Sequence, residues 1–199
     1  MKKSELAKEK IISVTTNLIQ DVGGDIEKIT IRLIAEHASV GVGLINHYFE
    51  TKNQLIEICV QRIIENVILS FTPKINQESD PINRLKVVAK LVVDFLIENP
   101  EVSRISILGD MNSPKITDNT MKTVRGFLFS LEDYNISEDE KRILLFCLTS
   151  IIQEAFLRKE ISKQSFGFDF NKKEERDEFI DFIIDRLFER TDKHENINN

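Results

Sequence analysis

TIRLIAEHASVGVGLINHYF, residues 30–49, decides the fold at the N-terminal end of this chain. The stretch has the pattern of two short helices joined by a tight turn. Ile34 and Ala35 lie on one face of the first helix, and Ile45 and Phe49 share one face of the second. Ala35 is small enough to let two helices cross closely. This spacing is typical of a helix-turn-helix, so we predict one here.

The second helix of this pair has an outward face that could read DNA. At about 100° per residue, with Ile45 directed to the core, the outward residues are Gly43, Leu44, Asn46 and His47. Asn and His side chains can hydrogen-bond to base edges, and a Leu side chain can contact a thymine methyl group. Gly43 lets another surface approach the backbone closely. We therefore predict a recognition helix for the major groove.

Charge neither requires nor excludes this role. The whole chain carries a net charge of −6, whereas its first 54 residues hold seven basic and seven acidic side chains. An acidic chain is a weak argument against nucleic-acid binding, and the neutral N-terminal segment softens it. Paired helices with a small crossing residue also occur in ordinary bundles. A helical protein-interaction module without DNA binding is therefore the alternative.

The remainder of the chain also reads as helix. Among 199 residues there are only 7 Gly and 4 Pro, and no strand pattern interrupts the helical periodicity. We predict an all-α protein of about nine helices. The predicted domains are a three-helix helix-turn-helix domain over residues 1–52 and a larger helical domain over residues 53–199.

Catalysis is not indicated. The HExxH, GxSxG and Walker patterns are absent, and only three His residues are present. Cys59 and Cys147 lie in apolar helical patterns and are expected to be reduced core thiols. We expect no enzyme activity, no cofactor and no metal. The charged N-terminus and the short apolar runs predict a cytoplasmic protein with no membrane partner.

Residues 11–58 resemble the N-terminal domain of TetR-family transcriptional regulators. The residues that carry the resemblance are Thr30, Ile34, Ala35, Ala38, Val40, Gly43, Ile45, Tyr48, Phe49, Lys52 and Leu55. Ser39 stands where the family usually has glycine, and Asn46 stands where it usually has tyrosine. The loop GGDIEK, residues 23–28, is about two residues longer than usual.

The resemblance implies a ligand-responsive regulator, most simply a repressor that binds a palindromic operator as a dimer and is released by a small-molecule inducer. It also assigns roles to residues. Thr30, Tyr48 and Lys52 would contact phosphates, and Gly43 would allow close approach to the DNA backbone. The residues expected to face bases are Val42, Leu44, Asn46 and His47.

The resemblance further implies that the C-terminal part dimerises through a four-helix bundle built from both subunits. Two predicted helices carry wide apolar faces that such a bundle would bury. The interface residues predicted on them are Ile143, Cys147, Ile151, Phe156, Phe179, Ile183 and Leu187, with Leu144, Phe146, Phe182 and Phe188 beside them. The alternative is that these faces serve only the core of one subunit.

A ligand pocket is also implied for the C-terminal part. Phe95, Met121, Phe127 and Phe129 are its candidate lining residues, and their character suggests an apolar inducer. Aromatic residues at helical spacing can equally be core. The Phe-rich segment SFGFDF, residues 165–170, is either a lid or a loop that packs its three Phe side chains.

Overall fold

The computed structural model describes residues 3–22, 25–75 and 79–189, and within these ranges the chain is helical with no strand. The α-helices are α1 (Lys3–Asp21), α2 (Ile31–Ala38), α3 (Val42–Tyr48), α4 (Lys52–Ile75), α5 (Pro81–Glu98), α6 (Pro100–Asn112), α7 (Asn119–Leu128), α8 (Glu138–Leu157), α9 (Ser162–Phe166) and α10 (Lys173–Phe188). Two 3-10 turns cover Ile26–Lys28 and Phe129–Leu131. The predicted all-α fold is confirmed.

The helix that the sequence did not predict is α9. Its five residues are too few to display a helical period, and Gly167, at φ 82°, ends it in the left-handed conformation. The adjoining SFGFDF segment packs on α10, because the rings of Phe168 and Phe170 meet Phe179 edge to face at 5.6 and 5.7 Å between centroids. Two of the three Phe side chains of the segment thus pack, whereas Phe166, at the end of α9, is 51% exposed.

The chain divides into two compact units. Unit 1 comprises residues 1–70 and 98–120, and unit 2 comprises residues 71–97 and 121–199. This division does not follow the predicted boundary between residues 52 and 53. Residues 52–70 of α4 belong to unit 1, where Leu55 and Cys59 are fully buried. The assignment of separate functions to residues 1–52 and 53–199 stays a prediction.

Unit 1 is built around the apolar faces of its first four helices. The buried residues of these helices include Ile11, Ile19, Ile34, Ala38, Ile45, Phe49, Leu55 and Ile56. Burial raises the pKa of the Cys59 thiol to about 11, so this thiol stays protonated and donates a hydrogen bond to the Ile12 carbonyl. Cys59 is the core thiol that the sequence predicts, whereas Cys147 on α8 is half-buried.

Unit 2 joins α5 to α10 through ion pairs. Lys90 Nζ lies 2.8 Å from both carboxylate oxygens of Asp181. Asp94 pairs with Lys173 and with Arg176, each at 2.7 Å, and the Arg176 side chain is only 6% exposed. Such a buried cation needs its counter-charge, because water cannot solvate it there.

None of the helices in the described part of the chain is long and apolar enough to cross a membrane.

Candidate nucleic-acid interface

The helix pair α2–α3 forms the predicted helix-turn-helix. Thr30 caps α2, because its Oγ1 accepts a hydrogen bond from the Leu33 N–H at 3.1 Å. Ala35 and Ala38 on α2 are buried, as is Ile45 on α3. The short side chains of Ala35 and Ala38 allow α2 and α3 to approach closely.

Ser39 closes α2 in an unusual backbone conformation. Its φ of 53° and ψ of 47° are left-handed, and among the described residues it is the one non-glycine residue with positive φ. Val40 N–H donates to the Ala35 carbonyl at 2.9 Å, which completes the cap. The turn thus has the geometry that glycine would provide, with a serine in its place.

The faces of α3 are those that the helical period predicts. Ile45 is buried, and Phe49 after the helix is buried as well. Gly43, Asn46 and His47 are exposed. A Cβ atom built on Gly43 would meet no atom of the chain within 4 Å, so Gly43 is not a packing glycine within one subunit.

The remaining α3 residues are placed around this exposed face. Val42, at the first position of the helix, is 39% exposed, and Leu44 is half-buried. Tyr48 is half-buried between its neighbours: its ring centroid lies 5.2 Å from that of His47 and 6.4 Å from that of Phe49. Their assignment to DNA contact stays a prediction.

Lys52, predicted to contact a phosphate, makes contacts within the chain. Its half-buried ammonium group donates hydrogen bonds to the carbonyls of Ile26 and Ile29, each at 3.1 Å. No local signal in the sequence predicts this arrangement, since the two acceptors lie 26 and 23 residues away. Ile26 begins a short 3-10 turn, and Ile29 directly follows it.

The four predicted ligand residues differ in burial. Phe95 and Phe127 are buried in unit 2, and Met121 is half-buried. Phe129 is 67% exposed, so its assignment to an internal pocket needs correction. Phe127 lies near the end of α7, whereas Phe129 begins the 3-10 turn that follows, so the two residues do not continue one helical face.

A small, solvent-open cleft lies elsewhere, within unit 1. Its walls are polar and apolar in about equal parts and come from α4, α6, the segment after α6 and the start of α7: Glu57, Val60, Gln61, Ile105, Ser106, Gly109, Asp110, Ser113, Lys115, Asp118 and Asn119. None of the four predicted ligand residues is among them. Burial raises the pKa of Asp110, although hydrogen bonds from Thr120 oppose that shift.

Within the described part of the chain, no group of three His, Cys, Asp or Glu residues could hold a metal.

The predicted dimer residues differ in exposure. Ile143 on α8 is 64% exposed, and Phe146 and Phe182 are about half exposed. Those that are half-buried are Cys147, Ile151, Phe179, Ile183 and Leu187. Phe156 is buried inside unit 2, so its assignment to the interface is corrected. Thirteen residues turn a helix by about 220° beyond full turns, which puts Phe156 on the opposite side of α8 from Ile143.

An exposed, polar recognition helix crossed over a second short helix defines a helix-turn-helix DNA-binding protein. Residues 11–59 match the family model described as bacterial regulatory proteins of the tetR family. Residues 11–59 thus form a DNA-binding domain of the kind found in the TetR family of transcriptional regulators. Members of this family are DNA-binding regulators that respond to ligands.

Similar proteins extend the likeness beyond this segment. The HTH-type transcriptional regulator BetI of Proteus mirabilis is 25% identical over 192 residues, which cover 90% of this chain and 92% of BetI. The nucleoid occlusion factor SlmA of Mannheimia succiniciproducens is 22% identical over 98 residues, or 49% of this chain and 45% of SlmA.

Solved structures share the fold. The crystal structure of RolR in complex with resorcinol has a TM-score of 0.69 and 18% identity, covering 93% of this chain and 88% of RolR. A TetR transcriptional regulator from Rhodococcus sp. RHA1 has a TM-score of 0.62 and 16% identity, covering 96% of this chain and all of that one.

Proposed function

We propose that this chain is a cytoplasmic transcriptional repressor that binds a palindromic operator as a homodimer and is released by a small apolar inducer. The observation that carries the proposal is the outward face of α3. Gly43, Asn46 and His47 are exposed there, and the Gly43 backbone is open to close approach. A surface of this kind can enter the major groove without a change in the fold.

The proposed division of labour on this face follows from chemistry. Asn46 and His47 donate and accept hydrogen bonds at base edges, and Val42 and Leu44 contact thymine methyl groups. Tyr48 packs against His47, and Thr30 caps the start of α2. Both would contact phosphates, which position the protein but carry no sequence information.

Asn46→Ala or His47→Ala is expected to weaken operator binding by about 1–3 kcal/mol per half-site and to relax base preference at particular positions. The measurement is titration of the operator and of its single-base variants, after the operator has been selected from random DNA. Asn17→Ala is the matched control, because Asn17 is exposed on α1 outside the helix-turn-helix. Unchanged preference in both α3 variants would contradict the proposal.

The proposed dimer uses α8 and α10 of unit 2. Ile143, Phe146 and Phe182 place large apolar side chains on the exposed faces of these helices. A second copy of the same surface would cover them, which is the two-fold arrangement that a palindromic site requires.

Ile143→Asp is expected to convert a dimer into a monomer, since the interface would then have to bury an unpaired carboxylate in each subunit. Sedimentation at micromolar concentration measures this change. Ile116→Asp is the control, because Ile116 is 81% exposed in unit 1, outside the proposed surface. A monomeric wild-type protein whose protomer count does not change on DNA would overturn the proposal.

The inducer is proposed to bind in unit 2, near Phe95, Met121 and Phe127. These side chains are apolar and lie mostly inside the unit. RolR, which has a similar fold, was crystallised with resorcinol, so a small aromatic molecule is a reasonable first probe. Operator release by such a molecule would support this part of the proposal.

A further inference from the structure

The ammonium group of Lys52 connects two segments that are distant in sequence. Lys52 is the first residue of α4. Its two acceptors are the carbonyl of Ile26, which begins the 3-10 turn before α2, and the carbonyl of Ile29, which follows that turn. Ile29 is fully buried, and Thr30 follows it directly as the cap of α2. Lys52 therefore holds the chain at the point where α2 begins.

The start of α4 is itself held in place, so Lys52 extends from a rigid base. The Gln54 N–H donates to Thr51 Oγ1 at 3.1 Å, and Gln54 Oε1 accepts from the Glu50 N–H at 2.8 Å. Leu55 and Ile56, in the next turn of α4, are buried. These bonds tie α4 to the chain that leaves α3, and Lys52 ties it to the chain that enters α2.

We propose that Lys52 is a positioning residue for the recognition helix, acting through the two carbonyls and not through a phosphate. It joins the exit of α3 to the entrance of α2, so it sets the orientation of the helix pair that carries Gly43, Asn46 and His47. The proposal rests on the DNA-binding function proposed above.

The two roles of Lys52 differ in their salt dependence. Each phosphate contact that is lost reduces the slope of log K against log salt by about 0.9 on duplex DNA. A positioning residue releases no counterion from the DNA, so its loss lowers affinity and leaves the slope unchanged. Hydrogen exchange adds an independent readout, because the 3-10 turn and the first turn of α2 should open more often without the ammonium group.

The experiment compares Lys52→Met with wild type and with Lys10→Met, which removes an exposed cation from α1. Operator affinity is measured over a range of salt, at a temperature where circular dichroism shows every variant to be folded. Lys52→Met is expected to bind about tenfold more weakly with the slope of the wild type. It should also exchange faster at residues 26–33, whereas Lys10→Met should keep wild-type exchange there.

Three other results would overturn the inference. A slope lower by about one with unchanged exchange would make Lys52 a phosphate contact. A lower melting temperature with unchanged affinity would make it merely structural. Hydrogen exchange and operator affinity that both stay at wild-type values would show that Lys52 does not position the helix pair. Failure of the proposed function is distinguishable, since wild type would then select no DNA sequence while the exchange comparison still tests the contact.

Discussion

Gly43→Ala is expected to move stability and DNA binding in opposite directions. A Cβ atom at this position meets nothing within 4 Å in the chain, and alanine favours a helix over glycine by about 0.5–1 kcal/mol. The melting temperature should therefore stay level or rise. On the operator, the added methyl group lies at a close approach to DNA and should cost about 1–3 kcal/mol per half-site, as overpacking does.

Gly126→Ala is the matched control for this prediction. Gly126 lies in α7 of unit 2, and a Cβ atom there also meets nothing within 4 Å. The control should gain a similar amount of stability and bind the operator as wild type does. Thermal melting and DNA titration of both variants decide the matter. A lower melting temperature for Gly43→Ala with undiminished operator affinity would show that Gly43 serves packing.

Asp94→Ala is expected to lower the free energy of unfolding by about 3 kcal/mol, because it leaves the buried guanidinium group of Arg176 without its carboxylate partner. Arg176 is 6% exposed and donates to Asp94 at 2.7 Å. The estimate lies at the lower end for a broken buried pair, since Asp94 is itself 24% exposed and Arg176 keeps contacts with the carbonyls of Phe170 and Asn171. Urea unfolding measures the loss.

Asp139→Ala is the control, because Asp139 forms an ion pair with Arg142 on the surface and is 90% exposed. Such pairs contribute about 0–1 kcal/mol, so this variant should unfold almost as wild type does. If Asp94→Ala and Asp139→Ala lost the same free energy of unfolding, the importance that we assign to the burial of Arg176 would be contradicted.

The same pair predicts a dependence on acid. Burial alone would raise the pKa of Asp94, but hydrogen bonds from Lys173 and Arg176 outweigh it and hold that pKa below 3.8. A carboxyl whose pKa is lower in the folded state stabilises the fold at neutral pH. This stabilising contribution is lost as the pH falls from about 4 through the lower pKa that Asp94 has in the folded state. Below pH 4, Asp94→Ala should therefore lose stability less steeply than wild type.

Local periodicity was sufficient for the helix-turn-helix. Ile34, Ala35 and Ile45 face inward and Gly43, Asn46 and His47 face outward because a helix repeats every 3.6 residues, whatever surrounds it. The same rule separates Phe156 from Ile143, which were predicted to share one apolar face of α8. Phe127 and Phe129, predicted at helical spacing, differ in exposure because Phe129 begins the 3-10 turn after α7.

Contacts between distant residues were decided by tertiary structure alone. Lys52 reaches carbonyls 23 and 26 residues away, and Arg176 meets Asp94 across 82 positions. A lysine before an apolar helix has the same local pattern whether it faces a phosphate or a backbone carbonyl, since its long side chain can turn either way. The sequence by itself determined the all-α fold, the helix-turn-helix with its inner face, and the resemblance of the N-terminal part to the TetR family. Packing determined which charges are held within the chain, because burial removes the water that would otherwise solvate them.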